Sequence, residues 1–259
     1  MVQADDLRQD GRQEGMVEMS LKDLIGDNLA AERPKSLAEQ SADKLRELIL
    51  LEKLPAGAQI SERDLASALG ISRTPLTRAL TILEQDGLIE YSVTRRPQVA
   101  NPPFEEIAQN LVVMGALEAL AGELACTRIT DAEIARVAGY QQQMEAGEGT
   151  LSPLESFQLD MQMHEAIVAA SGNAPLIDTH RKYNARLWRA RFQSSQRRAG
   201  RDQTLAEHRA IIAALSQRDP VATAIALRRH LASAVTNIRN VFQDAGTARS
   251  PNPNTETPA

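Results

Sequence analysis

Apolar positions recur at helical spacing along most of this chain, and the first well-defined stretch begins near residue 37. Leu45, Leu48 and Ile49 stand at i, i+3 and i+4, so they share one helix face. Leu54-Pro55-Ala56-Gly57 reads as a turn, and residues 58–60 as a short extended piece. Ser61 is placed to cap a helix over 62–69, with Asp64 in its first turn, and Gly70 suits the left-handed position that ends it. After Ile71, Ser72 caps another helix, which tolerates Pro75 in its first turn. Leu76, Ala79, Leu80 and Leu83 form its apolar stripe, and Arg73, Thr74, Thr77, Arg78 and Thr81 its polar face. Gly87 ends it. Residues 88–91 and 98–100 predict two short strands joined through 92–97, with Arg95 and Arg96 at the tip.

Helix, helix, short turn, helix and hairpin make a winged helix-turn-helix pattern. In such a unit the second helix of the pair enters the major groove with its N-terminal residues at the base edges. Here those residues are Ser72, Arg73 and Thr74. Arginine bonds guanine bidentately, while hydroxyls and helix N-termini suit phosphate. A hairpin tip with two arginines suits a phosphate backbone or a narrow minor groove.

From residue 104 the pattern is helical throughout, with no strand-like alternation. Six helices are expected near 104–126, 131–147, 153–171, 174–197, 202–217 and 220–243. The punctuation supports them: Thr130 and Asp131, Ser152-Pro153, Ser171-Gly172-Asn173 and Asp219-Pro220. The fold class is therefore mainly α, a winged helix-turn-helix domain over 36–101 followed by an antiparallel six-helix bundle over 102–244. Asn101-Pro102-Pro103 marks the boundary, because paired prolines favour an extended linker. Residues 1–35 read as a flexible arm with a short amphipathic stretch at 16–29, and 245–259, rich in Pro, Thr and Asn, as a disordered tail.

Charge changes the picture only in part. The 259 residues carry a net charge of −5, which excludes gripping nucleic acid by bulk positive charge but not a few well-placed contacts. One cysteine, Cys126, excludes a disulfide framework and a zinc-finger cluster, and it has no obvious base beside it for a nucleophilic role. No apolar run approaches the roughly 20 residues of a membrane span, and the polar N-terminus is unlike a secretory signal. A cytoplasmic protein without a membrane partner is expected.

Histidine carries the candidate chemistry. There are four: His164, His180, His208 and His230. Asp160 and His164, at i and i+4, project from one helix face, and His208 and His230 stand on two further helices. One carboxylate and three imidazoles are enough to hold Zn²⁺, Mn²⁺ or Ni²⁺. The same spacing also fits a surface Asp–His pair or satisfied core histidines. On the fourth helix of the bundle, His180, Asn184 and Arg191 fall on or beside the apolar stripe of Leu176, Ile177, Tyr183 and Leu187. They need partners there, from a bound effector, another helix or a dimer interface. Arg186, Arg189, Arg197 and Arg198 are assigned to a solvated face, and Trp188 to packing.

The first block resembles the GntR family of bacterial transcription regulators. The residues that carry the likeness are Pro55-x-Gly57, Ser61-Glu62-Arg63-Asp64-Leu65-Ala66, Leu69-Gly70-Ile71-Ser72-Arg73-Thr74-Pro75-Leu76, Ala79-Leu80, Leu83-Glu84 and Gly87-Leu88-Ile89. The resemblance implies DNA contacts from Arg63, Ser72, Arg73 and Thr74. Two departures stand out. Thr77-Arg78 replaces the usual Arg-Glu pair, which moves the expected contact to Thr77 or Arg78, and Arg96 stands where the wing usually has glycine. Asp160-x-x-x-His164, Ala170-Ser171-Gly172-Asn173, Glu207-His208, Asp219-Pro220 and His230-Leu231 resemble the C-terminal domain of the FadR subfamily, called FCD. Six helices point to its VanR-like branch. This likeness implies that Asp160, His164, His208 and His230 ligate a divalent metal, zinc first, at the floor of a pocket for a small organic acid. Met114-Gly115 stand where the family often has an arginine for that acid. The implied function is a homodimeric repressor on a palindromic operator of double-stranded DNA, released by its effector. The alternative, a metal-dependent hydrolase or lyase, needs a general base that no recognisable spacing supplies, and it leaves the DNA-reading block unexplained.

Overall fold

Three short helices and a hairpin come first. The computed structural model describes residues 34–197 and 200–249, and packing divides the chain into Met1–Ser36 and Leu37–Ala259. The stretch at 16–29, the rest of the arm up to residue 33, and residues 250–259 lie outside the described residues. From Leu37 the elements are α1 (Leu37–Leu50), α2 (Glu62–Leu69), α3 (Arg73–Gln85), β1 (Ile89–Tyr91) and β2 (Pro97–Val99). Ser61 caps α2 by accepting from the Asp64 N–H at 3.3 Å, and Gly70 closes it with φ at +66°. Leu76, Ala79, Leu80 and Leu83 of α3 have no exposed surface and pack with Leu45, Ile49, Leu88, Ile89 and Val99. Each large side chain among them contributes about 1.5–3 kcal/mol of burial.

The hairpin departs from its expected bounds. β2 runs Pro97–Val99 instead of 98–100, paired antiparallel with Ile89 opposite Val99 and Tyr91 opposite Pro97. A proline is tolerated because it opens the strand, and its carbonyl accepts from the Ile60 N–H at 2.8 Å. The expected extended piece at 58–60 thus joins the far edge of β2, where Gln59 also bridges Gln98. At the wing tip the left-handed position is Arg95, with φ at +57°, and not the neighbouring Arg96.

The bundle follows as α4 (Phe104–Cys126), α5 (Asp131–Ala146), α6 (Pro153–Ala170), α7 (Ala174–Ser195), α8 (Arg201–Ser216) and α9 (Pro220–Arg249). Thr130 with Glu133 and Ser152 with Glu155 form capping boxes that start α5 and α6, and Asn173 caps α7. One bound is corrected. α9 extends past 243 to Arg249, so the stretch assigned to a disordered tail begins inside a helix. No proline interrupts the chain there before Pro251, and Phe242 anchors the helix against Phe104 at a ring separation of 5.8 Å.

α4 is the central helix, packed against α6, α7 and α9. Gly122 lets α9 approach so closely that a Cβ would stand 2.5 Å from Leu227. By length and mean hydropathy α4 could cross a bilayer, contrary to the expectation that no run qualifies. In this fold its apolar face goes into the core instead, with Leu111, Met114, Ala119 and Ala125 buried beside the carboxylate of Glu118.

The two blocks meet through α1 and α7. Leu50, at the end of α1, packs with Phe157, Met161 and Phe192, flanked by Trp188. The Arg46 guanidinium lies 5.9 Å from the Trp188 ring centre, in keeping with a packing role for Trp188. Arg189, assigned above to a solvated face, is only 19% exposed and sits 3.5 Å from Glu52. Arg197, assigned likewise, pairs with Asp244 at 2.8 Å. Both are corrections: helical periodicity says which face is polar but not that another element comes to cover it. Arg198 lies outside the described residues.

Candidate functional site

His164 on α6, His208 on α8 and His230 on α9 are buried, and one nitrogen from each lies within 4.8 Å of the others. Asp160, one turn before His164, brings Oδ1 to 3.2 Å from His208 Nε2 and 3.6 Å from His164 Nε2. Asp160 Oδ1, His164 Nε2 and His208 Nε2 are nevertheless buried without a hydrogen-bond partner. Three orphaned buried atoms facing one point are expensive unless something bridges them. A divalent cation matches this donor set of one carboxylate and three imidazoles.

Each imidazole is also held from behind. His164 Nδ1 lies 2.7 Å from Glu118 Oε2, His208 Nδ1 2.9 Å from Gln141 Oε1, and His230 Nδ1 3.1 Å from Glu207 Oε2. Partners of this kind turn the other ring nitrogen inward and fix the tautomer. Neither Glu118 nor Gln141 stands out in the sequence as a site residue. The available signal for Glu118 was that it is the only charged residue between 107 and 122.

The charges are strongly coupled. Burial alone would raise the Glu118 and Asp160 carboxyls, but His164 beside both, with His180 at Glu118 and His208 at Asp160, holds each well below the usual carboxylate range. Burial alone would lower the His164 imidazole, yet Glu118 and Asp160 push it up to about 9. His230 goes the other way, to about 4, because burial and the neighbouring His208 and His164 outweigh Glu207. Burial opposes ionisation of Glu207, but hydrogen bonds from His230, Ser233 and Gln203 bring it down to about 2.

A cavity of about 290 Å³ opens beside the cluster, lined by Asp160, His208, His230 and Arg191 with Phe157 and Ile238. Of the three effector candidates, only Arg191 is on its wall. Its Nη1 donates to Asn184 Oδ1 at 3.0 Å, and its Nη2 lies 3.9 Å from Asp160 Oδ2. His180 and Asn184 lie in the layer behind the wall. His180 Nε2 is 3.3 Å from Glu118 Oε1, and Asn184 orients Arg191. All three share the expected helix face, but residues near one face differ in depth, and these two point between α7 and its neighbours.

At the other end, Arg63, Ser72, Arg73, Thr74, Thr77, Arg78, Arg95 and Arg96 are all exposed. Ser72 occupies the N-cap position of α3, yet its hydroxyl makes no capping bond, which leaves it available to an outside acceptor. The Thr77 hydroxyl donates to the Arg73 carbonyl at 3.1 Å. Arg73 and Arg63 are restrained only by distant or exposed carboxylates, Glu62 at 3.8 Å and Asp64 at 3.4 Å. Such pairs are weak and yield readily to phosphate.

Comparison with known proteins agrees with this geometry. A profile of bacterial regulatory proteins of the gntR family matches residues 37–99, and a profile of the FCD domain matches residues 109–233. The Nta operon transcriptional regulator of Aminobacter aminovorans is 35% identical over 147 residues, covering 55% of this chain and 67% of that protein. The "Probable D-xylose utilization operon transcriptional repressor" of Paenarthrobacter nicotinovorans is 27% identical over 197 residues, 74% of this chain and 86% of its own. Among solved structures, E. coli McbR/YncC superposes with a TM-score of 0.67 at 19% identity, covering 82% of this chain and all of that one, a likeness of fold. A winged helix-turn-helix joined to an FCD bundle, with relatives that are transcription regulators and not enzymes, places this chain in the GntR family of bacterial transcription regulators, in its FadR subfamily with an FCD domain.

Proposed function

We propose that this regulator is a cytoplasmic repressor that binds a palindromic operator as a homodimer and lets go when a small organic acid enters the cavity beside a metal ion. The observation that carries the reading is the cluster of unpartnered Asp160 Oδ1, His164 Nε2 and His208 Nε2 beside a cavity lined by Asp160, His208, His230 and Arg191. Asp160, His164, His208 and His230 would hold the ion, zinc first with manganese or nickel as alternatives. An ion that takes more than four ligands would leave room for a carboxylate or hydroxyl beside Asp160, His164, His208 and His230. Arg191 presents a guanidinium to the same ligand. Phe157 lines the cavity and also packs on Leu50 of α1, so a ligand that displaces it acts directly on the docking of the DNA-reading block. This works only for a ligand that binds the two arrangements with different affinity.

Dimerisation is supported by apolar side chains left in the open on the bundle: Val112 at 70% exposure and Leu120 at 43% on α4, and Val221 at 68% and Ile225 at 62% on α9. Two-fold pairing also presents two copies of α3 to two half-sites. Within each copy, Arg73 at the start of α3 reads a base edge, while Arg63, Ser72, Thr74, Thr77 and Arg78 contact base or phosphate. Arg95 and Arg96 place the wing on the backbone.

The test is a mobility shift on DNA from the gene's own upstream region. Arg73→Ala should weaken binding by about 1–3 kcal/mol, roughly 5- to 150-fold. Unchanged affinity would remove α3 as the reading helix. In the same assay a panel of small carboxylates is added to the metal-loaded protein. Release by one of them, absent in Arg191→Met, is the expected result. Leu120→Glu should shift the protein towards a monomer by sedimentation, and a stable dimer in that variant would place the interface elsewhere.

A further inference from the structure

Glu118 is buried at 1% exposure in the most central helix, among Gly115, Ala119, Ala121 and Gly122 of its own turn neighbours. A carboxylate in such a place needs a reason, since desolvation works against it. Its two oxygens are divided between two helices. Oε2 meets His164 Nδ1 on α6 at 2.7 Å, and Oε1 meets His180 Nε2 on α7 at 3.3 Å. Arg191 Nη1, also on α7, lies 4.0 Å from Oε1. The other two histidines of the cluster are backed separately, by Gln141 and by Glu207. Of the three groups that back the histidines, Glu118 is the one that also meets the polar layer of α7, at His180 and Arg191.

We infer that Glu118 is a positioning residue for the metal centre, fixing His164 with one oxygen while its other oxygen holds His180 and α7 against the same point. This rests on the metal reading above. The Nδ1–H of His164 donates to Glu118, so its Nε2 is the atom turned towards Asp160 and the ion. Carboxylate backing also makes an imidazole a stronger ligand than amide backing does. Glu118 thereby ties the strength of metal binding to the wall that the effector meets.

Glu118→Gln separates charge from shape, because an amide keeps an acceptor for His164 Nδ1–H and nearly the same volume. Co²⁺ serves as the probe, with affinity read by competition against a chelating dye and ligand field by visible absorption. The expected result is a 10- to 100-fold loss of Co²⁺ affinity with displaced absorption bands, with the far-ultraviolet circular dichroism of the metal-free protein unchanged. Affinity within about twofold of the original and superimposable bands would overturn the inference. If Glu118→Gln does not fold, Glu118→Asp takes its place. It keeps the charge but is one methylene too short to span both contacts, so it should also lose Co²⁺ affinity, and full retention would overturn the proposal. Failure of the unsubstituted protein to bind Co²⁺ at all would instead sink the metal reading itself.

Discussion

His164 and His230 stack with ring centres 5.0 Å apart, yet their surroundings pull them in opposite directions, up to about 9 and down to about 4. At neutral pH the metal-free site therefore holds a charged His164 and a neutral His230. The His164 shift stabilises the metal-free fold fully below its ordinary value of 6.5, and that contribution disappears as pH rises through about 9. The His230 shift works the other way, with a penalty that grows as pH falls from 6.5 towards 4. A metal bound through His164, as proposed above, would have to displace the imidazole proton. Its apparent affinity should accordingly rise roughly tenfold per pH unit between about 6.5 and 9, then level off, with one proton released per ion. Calorimetry in buffers of different ionisation enthalpy counts that proton, and a flat profile would show that His164 is not a ligand. At this scale the sequence was informative about types and silent about surroundings. Four histidines and an Asp at i, i+4 made Asp160, His164, His208 and His230 visible. Glu118, 46 residues from His164, becomes their neighbour only through the packing of α4 on α6.

Among the elements, α7 shows what a periodic pattern can and cannot reveal. Its inward polar residues were legible because they interrupt an apolar stripe. Its contact with the DNA-reading block was not, since Gln193 meets Glu52 across 141 residues of chain and nothing local encodes such a meeting. α2 and α3 were readable almost residue by residue, because Ser61, Gly70 and Pro75 act within a turn of where they stand. The docking of α1 on α7 is the element most open to test. Leu50→Ala opens a hole among Phe157, Met161 and Phe192 and should cost about 2–5 kcal/mol. Urea unfolding reports the loss, and operator binding by the surviving folded fraction should respond less to metal and ligand. Full stability in that variant would mean that the two blocks do not rest on this contact.

For the whole molecule, the net charge of −5 and the exposed arginines make a combined statement. Within the DNA-reading block the exposed arginines, Arg63, Arg73, Arg78, Arg95 and Arg96, lie on α2, α3 and the wing, so few phosphate contacts are expected from each copy of the block. Arg95→Ala and Arg96→Ala should each lower the slope of log affinity against log salt by about 1 per subunit, without altering which sequence is preferred. A titration of binding over salt concentration checks both. If the slope is unchanged, the wing does not touch the backbone. The fold class was legible at this scale from helix punctuation alone. The extra length of α9 was not, because the Pro, Thr and Asn content of the tail masks a helix that runs through Gly246 to Arg249, short of the first proline at Pro251.

The close pairing of α4 with α9 joins the first helix of the bundle to the last. During synthesis the winged block completes its own core, from Ala42 to Val99, long before the ribosome reaches His230. The histidine cluster can close only after α9 has emerged. The DNA-reading block of a nascent chain thus folds before the cluster that would answer a signal, and a ribosome-arrested chain ending before residue 220 should protect residues 42–99 from limited proteolysis while failing to bind the ion.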